Sequence, residues 1–375
     1  MIQQNGSLPH RADSEGSPHV LSEGQWARYV FLMNRVQAML EPAPLAELLR
    51  EHRSENRFSP INETERIAID FLVRGGKRFR PFVTLAAYDA VASTGDDPPR
   101  DHFSPAIHRA VAAIEAFHKA SLVHDDIEDD DLFRYGQQTL HREHGVPVAV
   151  NVGDYLVGLG YRWITSSRDE IGASCAADVL HRLMDAHVRL SEGQGAELAW
   201  RSGSDRLLSI ENARAVYDLK TVPAFEAALY VGIRLASDVR SFDSNLRHFS
   251  QELGRGFQIL NDLKDWQGDP SNKVVAGQDF RALRPTMLLA IALESASAAD
   301  RNLLLDRLEQ EGPCTDRSGE MESIMSKYRV GAACRAMVDE HRRAALQEAN
   351  AISHPALRRY LMFLTSKVLE DTPSS

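Results

Sequence analysis

Asp125 and Asp129 stand four residues apart in the segment HKASLVHDDIEDDD, which runs from His118 to Asp131. On a helix that spacing puts both on one face, one turn apart. Bare carboxylates so placed repel by a few tenths of a kcal/mol. A hard divalent cation between them turns the repulsion into ligation. Oxygen donors suit magnesium, which keeps several waters and is commonly shared with substrate phosphates. An acidic run near a helix end is more often a solvated surface. Two details weigh against that here. The run follows an apolar stretch, Ala120 to Val123, and the chain carries a second cluster, FQILNDLKDWQGD, from Phe257 to Asp269. Asn261, Asp265 and Asp269 are spaced i, i+4, i+8, with Asp262 beside them. Two oxygen-rich faces, each following an apolar helical run, suggest opposing walls of a metal-filled cavity between helices.

The basic residues narrow the chemistry. Gly75-Gly76-Lys77-Arg78-Phe79-Arg80-Pro81 joins two glycines, which permit close backbone approach, to three cations that can grip phosphate. Arg134 follows the first acidic cluster, Lys220-Thr221 lies before Pro223, and Lys273 and Arg284 follow the second cluster. His141 and His144 are three apart, but no further ligand pair accompanies them, so a zinc site is disfavoured.

The elements that must position these groups read as helices. Trp26, Val30, Phe31, Met33, Val36 and Leu40 recur at helical steps, and Pro42 and Pro44 end that run. Helices are expected from Ile67 to Val73, from Pro81 to Ala92 and from Ile107 to Asp131. Later ones are expected over 148–166, 173–199, 209–235, 242–266, 285–310, 329–352 and 355–370, with 95–99 and 312–321 as loops. No stretch of sustained alternation argues for a strand, and strand–helix alternation is missing, which disfavours a doubly wound sheet. The expectation is an all-α chain: a disordered tail over 1–24, then one large helical domain over 25–372. The sequence has 375 residues, 43% apolar and 26% charged, enough for a large core. Its net charge of -10 argues against nucleic acid. Its three dispersed cysteines fit a reducing cytoplasm. The first twenty residues lack the apolar core of a signal peptide, and no run approaches the roughly 18 apolar residues that span a bilayer.

In combination these motifs resemble the trans-isoprenyl diphosphate synthase (polyprenyl synthetase) family over about 60–290. GGKRFRP is similar to that family's first basic motif and HKASLVHDDIED to its first aspartate-rich motif, with Arg134 and Gly136 following. Gln194 and Glu197, Lys220-Thr221, FQILNDLKD, Asn272-Lys273 and Asp279 through Thr286 fall in the family's order. The resemblance implies a helical bundle around a central cavity, a homodimer, and head-to-tail condensation of an allylic diphosphate with isopentenyl diphosphate. It implies three magnesium ions on Asp125, Asp126, Asp129, Asn261, Asp262 and Asp265. Arg134, Lys220, Lys273 and Arg284 would hold the leaving diphosphate, with Thr221 beside Lys220 in the catalytic set and Phe257 and Gln258 flanking the reacting carbons. Lys77, Arg80 and His118 would hold the metal-free diphosphate. Phe117, Ala120 and Ser121 would line the prenyl tunnel. The small Ala120 and Ser121 leave room for a product of twenty carbons or more, and Phe117 would be its floor.

Three positions depart from the family pattern. Tyr135 stands where a second arginine is usual, Asn261 where aspartate is usual, and Arg284 where lysine is usual. The Asn261–Asp265–Asp269 spacing also resembles the metal motif of class I terpene cyclases. A cyclase, however, has no need of Lys77, Arg80 and His118. A non-catalytic partner subunit is the other alternative, against which the retained aspartates speak.

Overall fold

The structure is a computed structural model that describes residues 23–50, 59–93, 102–203, 207–239, 242–267, 284–309 and 318–370. The early helices are α1 (Glu23–Met39), α2 (Pro42–Arg50), α3 (Glu63–Val73), α4 (Phe79–Ala92) and α5 (Pro105–Glu128). A hairpin of two-residue strands, β1 (Phe133–Arg134) and β2 (Gln137–Gln138), precedes α6 (Leu140–His144), α7 (Val146–Ser166), α8 (Arg168–Ile171) and α9 (Ala173–Ser202). Then come α10 (Ile210–Lys220), α11 (Val222–Ala236) and α12 (Asp243–Gln267). Helices Met287–Ser295, Ala298–Glu309, Ser318–Lys327, Val330–Ala351 and Pro355–Val368 follow. The fold is all-α.

Helix α5 is the axis. Pro105 opens it, where a missing N–H costs nothing. Ala106, Ile107 and the run Arg109–Ala116 are buried around its whole circumference, as a central helix requires. It packs along α7 and against α4, while α4 lies on α11 and α12 lies on Val330–Ala351. The core runs through all of these layers and includes the fully buried Trp163 and Tyr360. Helix α1 docks through Tyr29, stacked on Phe363 with ring centroids 4.1 Å apart. The last two residues of the expected 1–24 tail begin α1, and residues 1–22 lie outside the described residues.

The structure corrects four expected boundaries. The helix expected over 209–235 breaks after Lys220, because Pro223 in the next turn has no N–H for the ladder. The helix expected over 285–310 breaks at Ala296-Ser297, where the Ser297 hydroxyl accepts from the Asp300 N–H at 3.3 Å. The expected loop 312–321 gives way to a helix from Ser318, held by Arg307–Glu320 and by the buried Met321. The helix expected to reach Asp131 ends at Glu128. There the Asp130 N–H donates to Ile127 O and the Asp131 N–H to Asp126 O, with Asp130 left-handed at φ 54°. That pair of bonds is a Schellman ending. The hairpin beyond it was not expected either. Its turn residues, Tyr135 and Gly136, have φ 55° and 76°, as a type I′ turn requires. The expected loop 95–99 lies outside the described residues.

Candidate active site

The last turn of α5 gathers negative charge where a helix is least able to hold it. Asp125, Asp126, Glu128 and the cap Asp129 sit at the carbonyl end, whose macrodipole is already negative. Burial pushes the Asp125 carboxyl up to about 6, with Lys220 opposing and Asp129 reinforcing the shift. Cations from elsewhere in the chain relieve the rest. Arg134, on β1, bonds Asp126 through Nε at 2.8 Å and also through Nη2, and reaches Asp131 at 3.2 Å. Asp129 is clamped on both oxygens: Arg201 Nη1 takes Oδ1 at 2.5 Å and Arg284 Nη2 takes Oδ2. Lys220 Nζ meets Glu197 at 2.7 Å, and Gln194 donates to Glu128 at 2.5 Å. Glu197 and Arg201, one turn apart on α9, therefore face the acidic end of α5, with Arg284 reaching in from the other side.

The second wall is α12. Thr221 Oγ1, at the α10–α11 break, donates to Gln258 Oε1 at 2.9 Å, and Gln258 Nε2 donates to Asp262 Oδ1 at 3.0 Å. Asp262 Oδ2 accepts from the Tyr217 hydroxyl and from the Met287 N–H at 3.1 Å. Both Asp262 oxygens are thus engaged by protein donors that tie α10, α12 and the Met287 helix together. Asp265 is buried and Asn261 half-buried on the same helix. Phe257 packs edge-on against Phe225 at 5.2 Å. Asp269, Asn272, Lys273 and Asp279 lie outside the described residues.

The donor set suits a hard cation. It is all oxygen, and the buried Glu197 Oε1 and Gln194 Oε1 have no hydrogen-bond partner. Among the described residues no three carboxylate, imidazole or thiol groups converge closely enough to hold a metal unaided. A magnesium ion here would be held by one or two carboxylates and completed by waters and substrate phosphates.

The basic turn lies beyond the α3 end. Arg78 has φ 50° and pairs with the buried Glu115, so its side chain points into the core. Lys77 is exposed. Arg80 Nη1 lies 3.3 Å from both ring nitrogens of His118, which burial and the Arg80 charge keep well below the ordinary histidine range. Arg80 and His118 are therefore brought together across α4 and α5, while the exposed Lys77 makes no hydrogen bond to either. Four non-glycine residues among those described have left-handed backbone. Three of them, Arg78, Asp130 and Tyr135, border this site, where strain is commonly stored.

Along α5 the solvent-accessible row below Asp125 is Ser121 and Phe117, each one turn deeper; Ala120 is buried. Phe117 meets Tyr161 edge-on at 4.8 Å, and the Tyr161 hydroxyl lies 3.1 Å from His187 Nδ1. Sequence reading missed Arg201, Tyr217, Tyr161 and His187. Only Arg201 carried a signal, its four-residue offset from Glu197. The others became visible through contacts between distant segments.

A helical bundle whose acidic helix end is met by Arg134, Arg201, Lys220 and Arg284 suits an anionic, metal-bound substrate. The polyprenyl synthetase model matches residues 62–325. A short chain isoprenyl diphosphate synthase of Methanothermobacter thermautotrophicus is 28% identical over 87% of this chain and 96% of its own length. A geranylgeranyl pyrophosphate synthase of Geoglobus acetivorans is 27% identical over 89% and 97%. The solved geranylgeranyl pyrophosphate synthetase of Pyrococcus horikoshii superposes with a TM-score of 0.74 at 28% identity, covering 92% of this chain and 99% of that one. The chain belongs to the polyprenyl synthetase family, and it is a prenyltransferase. No helix among the described residues is long and apolar enough to cross a membrane.

Proposed function

We propose that this enzyme condenses an allylic diphosphate with isopentenyl diphosphate, head to tail, to a product of twenty carbons or more. The observation that supports the reading is the pairing of Arg80 with His118, apart from the acidic end of α5, where Arg134, Arg201 and Arg284 pair with Asp126 and Asp129. The acids at the ends of α5 and α12 would serve one diphosphate through metal. Arg80 and His118, with Lys77, would serve the second. A cyclase, which handles one diphosphate, has no use for the second.

Asp125, Asp129, Asn261 and Asp265 would hold magnesium, three ions by the family's precedent, with Asp126 and Asp262 placing these ligands. Bound there, the metal supplies Lewis-acid stabilisation of the diphosphate as the allylic C–O bond ionises. Arg134, Lys220, Lys273 and Arg284 add fixed positive charge where the leaving group develops negative charge. Arg201 joins them from α9. Thr221 and Gln258, hydrogen-bonded to one another, flank the reacting carbons. His118, held neutral, donates to the second diphosphate without adding charge beside Arg80. The isopentenyl double bond attacks the allylic cation, a C–C bond forms, and the proton lost passes to the released pyrophosphate. The apolar walls Phe225 and Phe257 keep water from the cation.

Chain length is set along the row Asp125, Ser121, Phe117. Ser121 leaves the tunnel open, and Phe117, Tyr161 and His187 close its far end. Met184 and Val188, exposed one turn apart on α9, offer the apolar face on which a second copy seats to form a homodimer. Incubation with magnesium, isopentenyl diphosphate and a five-, ten- or fifteen-carbon allylic diphosphate, with mass analysis of the products, tests the reading. Elongated diphosphates are expected, shortened by Ser121→Phe; Ala120, expected to line the tunnel, is packed in the core instead, so Ala120→Phe would act by over-packing. A hydrocarbon made from a twenty-carbon diphosphate alone would instead identify a cyclase, and activity only with a second protein added would identify a subunit.

A further inference from the structure

Tyr135 stands where the family pattern has a second arginine, and a fully buried lysine lies directly beneath it. Lys119 Nζ sits 4.0 Å from the Tyr135 ring centroid and 5.1 Å from that of Phe71. It donates to Arg74 O and, at 3.2 Å, to Gly75 O. Arg78 Nη2 donates to Val73 O at 3.0 Å. Val73 O is a terminal carbonyl of α3, at the negative pole of its dipole, and Arg74 O and Gly75 O belong to the cap and turn that follow. Tyr135 closes the same turn from above. A Cβ on Gly75 would lie 2.7 Å from Tyr135 Cγ, and one on Gly76 3.2 Å from its hydroxyl oxygen. Gly75 and Gly76 have φ 35° and 98°, so the turn is held in a conformation that only glycine adopts readily. The next residues are Lys77, Arg78, Phe79 and Arg80.

We propose that Lys119 and Tyr135 act together as positioning residues for the metal-free diphosphate site. Lys119 ties the carbonyls just past α3 from below and Tyr135 clamps the glycine turn from above, so that Lys77 and Arg80 converge with His118 on one diphosphate. The pair replaces an exposed charge with a buried amine and a ring that order the residues contacting substrate. This deepens the synthase reading and rests on it. The substitution is one-way, because an arginine restored at position 135 would lie against the Lys119 amine.

The test measures isopentenyl diphosphate binding by calorimetry and steady-state KM values for both substrates. Tyr135→Ala, at a half-exposed position that does not threaten folding, raises the KM for isopentenyl diphosphate about tenfold or more, with the allylic KM moved less than about threefold. Tyr135→Phe, which keeps the ring over the ammonium, recovers most of that loss. Lys119→Met behaves like Tyr135→Ala. Tyr135→Arg alone weakens isopentenyl diphosphate binding, and Lys119→Met/Tyr135→Arg binds it more tightly than either single variant. A general packing defect would move both KM values together and make the double variant worst. The inference is overturned if Tyr135→Ala leaves the isopentenyl diphosphate KM unchanged, or if Tyr135→Arg alone tightens binding. Failure of the unaltered enzyme to bind isopentenyl diphosphate at all would overturn the synthase reading itself, a separate outcome.

Discussion

The side chains of this site are set by what buries them more than by their types. Lys119 is fully buried, and desolvation pushes its ammonium down to about 7 from an ordinary 10.5, with Glu115 opposing the shift. Unfolded chains hold that proton up to about 10.5, so between pH 7 and 10.5 the unfolded state binds more protons than the folded one. Stability therefore rises with pH across that window and is lost as pH falls toward 7. The unfolding free energy of the enzyme, from denaturant titration, should gain on that of Lys119→Met from pH 7 to pH 9, by up to about 1.4 kcal/mol per pH unit. Parallel pH profiles for the two proteins would show that Lys119 keeps an ordinary proton affinity. The sequence marks Lys119 only as a residue inside a motif. Nothing along the chain says that its ammonium ends against a ring sixteen residues later and two carbonyls more than forty residues earlier. The acids at 125–131 are legible because four-residue spacing is a local property of a helix. Their pairing with Arg201 and Arg284 is not, because it comes from packing between α5, α9 and the segment before Met287.

At the scale of elements, two junctions link packing to chemistry. The first is the α10–α11 break. Periodicity over 209–235 reads as one helix, since Thr221-Val222-Pro223 does not interrupt the apolar pattern; Pro223 was the only cue. The break brings Thr221 to Gln258, while Tyr217, one turn earlier, reaches Asp262 and the Met287 N–H. Tyr217→Phe removes the hydroxyl and leaves a buried carboxylate and N–H less well satisfied. A loss of about 1–3 kcal/mol in denaturant unfolding is expected, with product length unchanged. An unaltered midpoint would mean that Asp262 is free of this anchoring. The second junction is α5 against α7. A Cβ on Gly160 would lie 2.7 Å from the Phe117 ring, so Gly160 is what lets Phe117, the proposed tunnel floor, pack against α7. Gly160→Ala should cost about 1–3 kcal/mol by over-packing and push Phe117 toward the cavity. Its products should then be shorter than those of the unaltered enzyme, as mass analysis will read. Destabilisation with unchanged product lengths would separate Phe117 from the floor.

For the whole molecule, a net charge of -10 first reads as a bar to anionic substrates. Six of the acids lie within 125–131 and three more are Asp262, Asp265 and Asp269, so the excess is concentrated where a metal-diphosphate complex would be held. A bound divalent ion reverses the local sign, and the acid-built site becomes an anion site only when it is loaded. The proposed site of Lys77, Arg80 and His118 would need no such reversal, since its cations come from the chain. The two sites should therefore answer metal removal differently. In excess chelator, affinity for a fifteen-carbon allylic diphosphate should fall by at least about tenfold, because bare carboxylates then face the phosphates across a low-dielectric cavity. Isopentenyl diphosphate should keep its affinity within about threefold, and elongation should stop although that substrate is still bound. Equilibrium titration of each ligand with and without magnesium checks both. Equal losses for the two ligands would mean that the acidic walls serve both diphosphates and that the basic turn is not a separate site.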